Sequence, residues 1–187
     1  MPTKLKFIYQ LRITLVGVEP EIWRTVLVPS SITLPKLHTV IQVAMGWLDS
    51  HLHLFIHNND TYGEPDEFEE LGTLDENSIR MSKLLAREGD QVRYEYDFGD
   101  SWLHEVVLEK VLPFDTVTNL PLCLDGERSC PPEDCGGVFG YQNLLEIITD
   151  PSHEEFESMN EWLGEEFVAE AFDVSETNEL LHTFAKC

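Results

Sequence analysis

The chain has 187 residues, 42% of them hydrophobic and 25% charged, the make-up of a folded, water-soluble protein with a core of its own. Its 35 acidic and 12 basic residues give a net charge of −23, a field that repels phosphate backbones and argues against direct DNA or RNA binding. No apolar run approaches the roughly 18 residues that a membrane-spanning helix needs, so no membrane segment is expected.

The first element is "LKFIYQLRITLV" (5–16). Phe7, Tyr9, Leu11, Ile13 and Leu15 alternate with Gln10, Arg12 and Thr14, the pattern of a half-buried strand. A secretion signal does not alternate in this way, so a cytoplasmic location is expected. "GVEPEIW" supplies turn residues, and "IWRTVLVP" reads as a second strand closed by Pro29, which makes an antiparallel hairpin.

In "TLPKLHTVIQVAMGW" the period changes. Leu34, Leu37, Ile41, Ala44 and Met45 recur at three and four, which predicts a helix with Thr33 as N-cap, Pro35 in the first turn and Gly46 at its end. "HLHLFIHNNDTYG" then reads as a strand stopped by Asn58, Asn59 and Asp60. Hairpin, helix, strand is the order of a β-grasp fold, with the third strand beside the first.

Residues 60–90 are acidic and read as an insertion loop with a short helix from Ser82 to Ala86. "QVRYEYDFGDSWLHEVVLEKVLP" predicts a second hairpin. Val92, Tyr94, Tyr96 and Phe98 share one face of its first strand. Trp102, His104, Val106 and Leu108 share one face of the return strand, and Gly99, Asp100 and Ser101 form the turn. "CLDGERSCPPEDCGG" (123–137) reads as a stiff joint, followed by helical segments at 138–149, 153–163 and 176–185.

The predicted fold is therefore a single α+β domain over 1–187. A β-grasp-like mixed sheet is extended by a second antiparallel hairpin and carries a helical C-terminal part. Residues 1–122 are mostly sheet with one crossing helix, and 123–187 are the joint and an acidic helical tail.

Charge is unevenly spread. Residues 1–59 carry 5 basic and 3 acidic residues, whereas 125–187 carry 2 and 16, a net of −14. Such a run is ordinarily a set of solvated helix faces. The sharper reading is a docking surface for a basic protein partner.

Three groups carry candidate chemistry. Cys123, Cys130 and Cys135 are spaced C-x6-C-x4-C, unlike a paired zinc knuckle, yet with a histidine they could hold zinc; the alternative is buried free thiols at a rigid corner. His51, His53 and His57 fall on one side of a strand with Phe55. The first two imidazoles would lie about 7 Å apart, near enough to share a metal, or would simply pack as one face of an amphipathic strand. In "YDFGDSWLHE", Asp97 and Asp100 flank a turn near His104, which suits either acid–base chemistry or a carboxylate capping its own turn. No nucleophile elbow, P-loop, dinucleotide glycine motif or H-E-x-x-H occurs, so no catalytic residue is assigned.

On the segments "YQLRITL", "PEIWRTVLVP", "TLPKLHTVIQVAMGWLDSHLHLF", "YEYDFGDSWLHEVVLE" and "CLDGERSCPPEDCGGVFGY", the chain resembles the plasmid pRiA4b ORF-3-like family. The resemblance runs from the first strand to the helix after the cysteines. It implies an uncharacterised, mobile-element-associated protein with no established catalytic residues. The family pattern includes Trp23, Arg24, His51, His53, Asp97, Phe98, Gly99, Asp100, Trp102, His104, Pro131, Pro132, Glu133 and Asp134, among which a shared site is expected. The function expected is an interaction module acting through a basic partner. The alternative is a metal-binding protein, with structural zinc or as a metal-dependent hydrolase or nuclease accessory.

Overall fold

The computed structural model describes residues 7–64, 72–114, 119–164 and 167–185. Its strands are β1 (Phe7–Leu15), β2 (Trp23–Pro29), β3 (His53–His57), β4 (Asp60–Gly63), β5 (Leu74–Asp75), β6 (Gln91–Tyr96), β7 (Trp102–Pro113) and β8 (Leu122–Glu127). The helices are α1 (Leu34–Met45), α2 (Met81–Leu84), α3 (Gly137–Thr149), α4 (Phe156–Leu163) and α5 (Val174–Phe184). All eight strands form one sheet in the order β5-β4-β3-β6-β7-β1-β2-β8. Among the described residues, no helix is long and apolar enough to cross a membrane.

The α+β class and both predicted hairpins hold, but the β-grasp arrangement does not. β1 is flanked by β2 and β7, and β3 lies further out, against β6. The physical reason is the second hairpin. β7 is a 12-residue strand with alternating buried residues, long enough to pair along the whole of β1. It therefore takes the place expected for β3.

One face of the sheet is covered. Tyr9, Leu11, Ile13 and Leu15 of β1 join Val26 and Val28 of β2, Phe55 of β3, Val92 and Tyr94 of β6, and Val106 and Leu108 of β7 in one cluster beneath α1, α3 and α5. The other face carries Gln10, Arg12 and Thr14, which remain partly exposed. The period-two alternation in the sequence thus maps onto a one-sided sheet.

Helix α1 begins after Thr33, which holds the N-cap position in an extended conformation without a side-chain cap bond. It ends at Gly46, whose φ of 99° is left-handed and open to glycine at no steric cost. The expected insertion at 60–90 contains more structure than its acidity suggests: β4, β5, a 3-10 turn at Glu76–Ser78, and α2, which begins one residue and ends two residues earlier than predicted. The most acidic part of that stretch, 65–71, lies outside the described residues.

The joint at 123–137 is also partly a strand. β8 pairs antiparallel with β2 as the sheet's edge, with a register shift opposite Thr25 and Val26. Two hydrogen bonds between Asn178 and the Cys123 backbone, at 2.7 and 2.9 Å, tie this edge to α5.

Candidate functional site: a histidine and carboxylate cluster

Four side chains named from the sequence converge at one end of the sheet: His51, Asp97, Glu133 and Asp134. His51 precedes β3 and does not belong to it. Asp97 follows β6, and Glu133 and Asp134 lie in the Pro-Pro-Glu-Asp segment before α3.

The segment is held at both ends. The Trp47 indole donates to the Pro131 carbonyl at 3.1 Å, and Gly136 donates its N–H to Asp100 Oδ2 at 3.0 Å. Gly137 has a φ of 68°, and a Cβ there would meet the Asp100 carbonyl at 2.6 Å. The Gly-Gly pair is thus explained by the close seat of α3 on the β6–β7 turn.

Around His51 Nε2 stand Asp134 Oδ1 at 3.2 Å, Asp97 Oδ2 at 3.7 Å and Glu133 Oε2 at 3.7 Å. The ligand atoms of His51, Asp97 and Asp134 all lie within 4.8 Å of one another. Two of the three carboxylates are divided between two tasks. Asp97 Oδ1 accepts from the Gly99 N–H at 2.9 Å, leaving Oδ2 toward His51. Glu133 Oε1 accepts from the Leu48 N–H and the Tyr96 hydroxyl, both at 3.0 Å, leaving Oε2 toward His51. Tyr96 is itself fixed, accepting from the Ser50 N–H at 2.9 Å. Burial first, then the Glu133 carboxylate, holds the Tyr96 hydroxyl well above its ordinary pKa, so it stays a donor.

Two atoms of this cluster, His51 Nε2 and Glu133 Oε2, are buried without a hydrogen-bond partner. The 3.2 Å approach of Asp134 lacks hydrogen-bond geometry. An imidazolium salt bridge would align its N–H with one oxygen. Here the nitrogen faces a point shared by several oxygens. Asp97 and Asp134 both adopt left-handed backbone conformations, with φ of 57° and 56°. Such conformations are uncommon outside glycine and recur at functional sites. Fixed outer oxygens with free inner ones are what outer-shell bonds do for metal ligands. One imidazole with three carboxylates suits a divalent first-row cation.

The remaining candidates are placed elsewhere. His53 does not join His51. Its ring stacks on His38 with centroids 3.6 Å apart and 7° between planes, and its Nε2 meets the buried Glu76 carboxylate at 3.2 Å. His104 is wholly buried, and burial pulls its pKa down to about 4, so it is a neutral core residue. Trp102 is buried beside it. Phe98, expected on one face with Val92, Tyr94 and Tyr96, is exposed while those three are buried, because Asp97 turns the chain out of the strand. Asp100 serves the turn and Gly136.

Trp23 lies on the outer face, with the Arg12 guanidinium over its ring at 4.0 Å and its indole N–H bonded to Glu127 at 3.2 Å. Its neighbour Arg24 points inward and is 1% exposed. It donates to the carbonyls of Ala44, Trp23, Glu127 and Arg128 at 2.7–2.8 Å and stacks on Phe172.

None of the three cysteines belongs to the ligand group. Cys123 faces the core from β8, with its Sγ near the Asp125 carbonyl. Burial pushes the Cys123 thiol up to about 11 and Cys135 up to about 12, and raises Cys130 well above its ordinary value. Among the described residues, the ligand atoms close enough to share one ion belong instead to His51, Asp97 and Asp134. Chain spacing could not show this, because His51, Asp97 and Asp134 come from three separate connections.

Fold and site together define a mixed α+β protein, one eight-stranded sheet under a helical layer, with a histidine and carboxylate cluster at one end. Within that class, the chain belongs to the plasmid pRiA4b ORF-3-like protein family, whose model matches residues 7–176. It is 37% identical over 180 residues to the uncharacterized protein y4hQ of Sinorhizobium fredii (strain NBRC 101917 / NGR234), covering 95% of this chain and 92% of that one. It is also similar to the crystal structure of a protein of unknown function, MM3350, from Methanosarcina mazei Go1. That match has a TM-score of 0.84 and 36% identity, and covers 92% of this chain and 98% of the other.

Proposed function

We propose that this protein binds one divalent metal ion at His51, Asp97, Glu133 and Asp134, at a site open enough to present the ion to a further ligand. One observation carries the reading: the buried His51 Nε2 has no hydrogen bond and faces three carboxylates, two of which are oriented from behind. Three carboxylates and one imidazole leave an excess of negative charge that a divalent ion offsets.

The site differs from a structural zinc centre. Structural sites are closed by four buried ligands. Here the Asp134 side chain is 73% exposed, which favours remaining coordination positions that face solvent. A metal held in that way acts as a Lewis acid and lowers the pKa of bound water.

The test uses protein purified without a metal-affinity tag, stripped by chelator and titrated with Mn²⁺ and with Zn²⁺ in a calorimeter. The expected result is one ion per chain for wild type and loss of the isotherm in Asp97→Asn. Equal binding by both proteins, or none by wild type, would contradict the reading.

A further inference from the structure

The surroundings of the cluster are unusual for so acidic a surface. Large apolar side chains stand exposed next to its members. Leu52 follows His51, and Phe98 follows Asp97. Leu48 is 79% exposed, and its N–H holds Glu133. Phe139, 84% exposed, lies two residues beyond the Gly137 seat on Asp100. Trp162 of α4 is 51% exposed and lines a groove of ≈ 300 Å³ between α3 and α4 that Asp134 also lines.

Exposed aromatic and leucine side chains in a group mark binding surfaces. Aromatic residues are also the commonest anchors of protein interfaces. Three features decide the occupant. The rim is apolar, so a strongly hydrated polyanion has little to rest on. Glu157 and Glu161 stand exposed on α4 beside Trp162, and the chain carries −23 overall. A second copy would bring like charges together across the same face, at a cost.

We infer that this apolar rim is the docking surface for a basic polypeptide segment of a partner protein, one carrying apolar side chains among lysines or arginines. The inference rests on the metal reading for what the segment meets, since the rim directs it toward the cluster. Apolar side chains of the segment cover Phe98, Phe139 and Trp162, and its cations face the acidic surface. Association is steered by charge and weakens as salt rises.

The probe is a short synthetic peptide of alternating lysine and leucine. A lysine–serine peptide of equal charge and a glutamate–leucine peptide serve as controls. Binding is read by calorimetry on the full chain. The protein variants are Phe98→Ser/Phe139→Ser/Trp162→Ser and, on α5, which contributes no residue to the cluster or to the groove beside it, Phe184→Ser. All four positions are exposed, so the variants fold.

The expected result is that the lysine–leucine peptide binds wild type and Phe184→Ser alike and is weakened at least about tenfold by the rim variant. The lysine–serine peptide should bind weakly and equally to all, and the acidic peptide not at all. Equal affinity of wild type and rim variant for the lysine–leucine peptide overturns the inference. So does a wild-type dimer that the rim variant dissociates. Metal uptake is measured on the same samples. Uptake without rim-dependent peptide binding removes this inference and keeps the metal reading. Rim-dependent binding without uptake supports the surface and removes the metal.

Discussion

Arg24 and His51 were both picked out by the sequence, and the structure uses them in opposite ways. Arg24 sits in the interior with its guanidinium spent on four backbone carbonyls, among them Ala44 near the end of α1 and Glu127 at the end of β8. His51 sits at the sheet's end, with a nitrogen that makes no hydrogen bond and three carboxylates facing it. A buried polar group whose capacity is used up on the backbone holds structure together. A group left unbonded beside carboxylates that are oriented from behind is available for chemistry. The largest expected effect tests the first half of this contrast. Arg24→Met leaves four carbonyls short of a donor and should cost about 3 kcal/mol or more in a urea titration. The metal affinity of the molecules that remain folded should be unchanged. A stable variant that fails to bind metal would reverse the contrast.

The second half is tested by His51→Ala. Loss of an outer-shell partner alone costs roughly 10–100-fold in metal affinity, so loss of this inner ligand should cost more than about 100-fold. Unfolding free energy should fall by less than about 1 kcal/mol, because the ring is partly exposed and Nε2 makes no hydrogen bond. Calorimetry and a urea titration on the same sample separate the two outcomes.

His104 gives a third, smaller effect, and it belongs with Arg24. Its pKa is about 4 in the folded chain because of burial, against about 6.5 when unfolded. Between those values the unfolded chain binds more protons. The stability from keeping this ring neutral is therefore full above pH 6.5 and is lost as pH falls toward 4. Roughly 2 kcal/mol should disappear between pH 7 and pH 5, and His104→Gln should lack that part of the slope. A variant with the wild-type slope would place the titration elsewhere. The smallest effect concerns Tyr96→Phe. Removing the hydroxyl that fixes Glu133 should lower metal affinity about tenfold with little change in fold, as read by calorimetry and circular dichroism.

Much of the sheet was legible because alternation in Phe7–Leu15 and Gln91–Pro113 is a local signal that one buried face imposes. Strand order was not. Whether β3 or β7 lies beside β1 depends on which pairing buries more, and no short-range pattern records it. β8 was missed because "LCLDGE" carries Asp125 and Gly126 inside an edge strand, where turn residues are tolerated. In the site, His51, Asp97, Glu133 and Asp134 were on the page as residues of a shared pattern, but their meeting was not. Thiols at short spacing are a familiar metal signal, whereas ligands from three connections have no spacing at all. Asp97 was rightly read as capping its own turn; the same carboxylate turns its second oxygen toward His51.

The central claim is one ion at one place. A crystal of the protein grown with Mn²⁺ or Zn²⁺ and measured at the metal's absorption edge tests it directly. The prediction is a single anomalous peak about 2.0–2.2 Å from His51 Nε2, in contact with oxygens of Asp97, Glu133 and Asp134. No peak between these residues, or a peak on Cys123, Cys130 and Cys135, would contradict it.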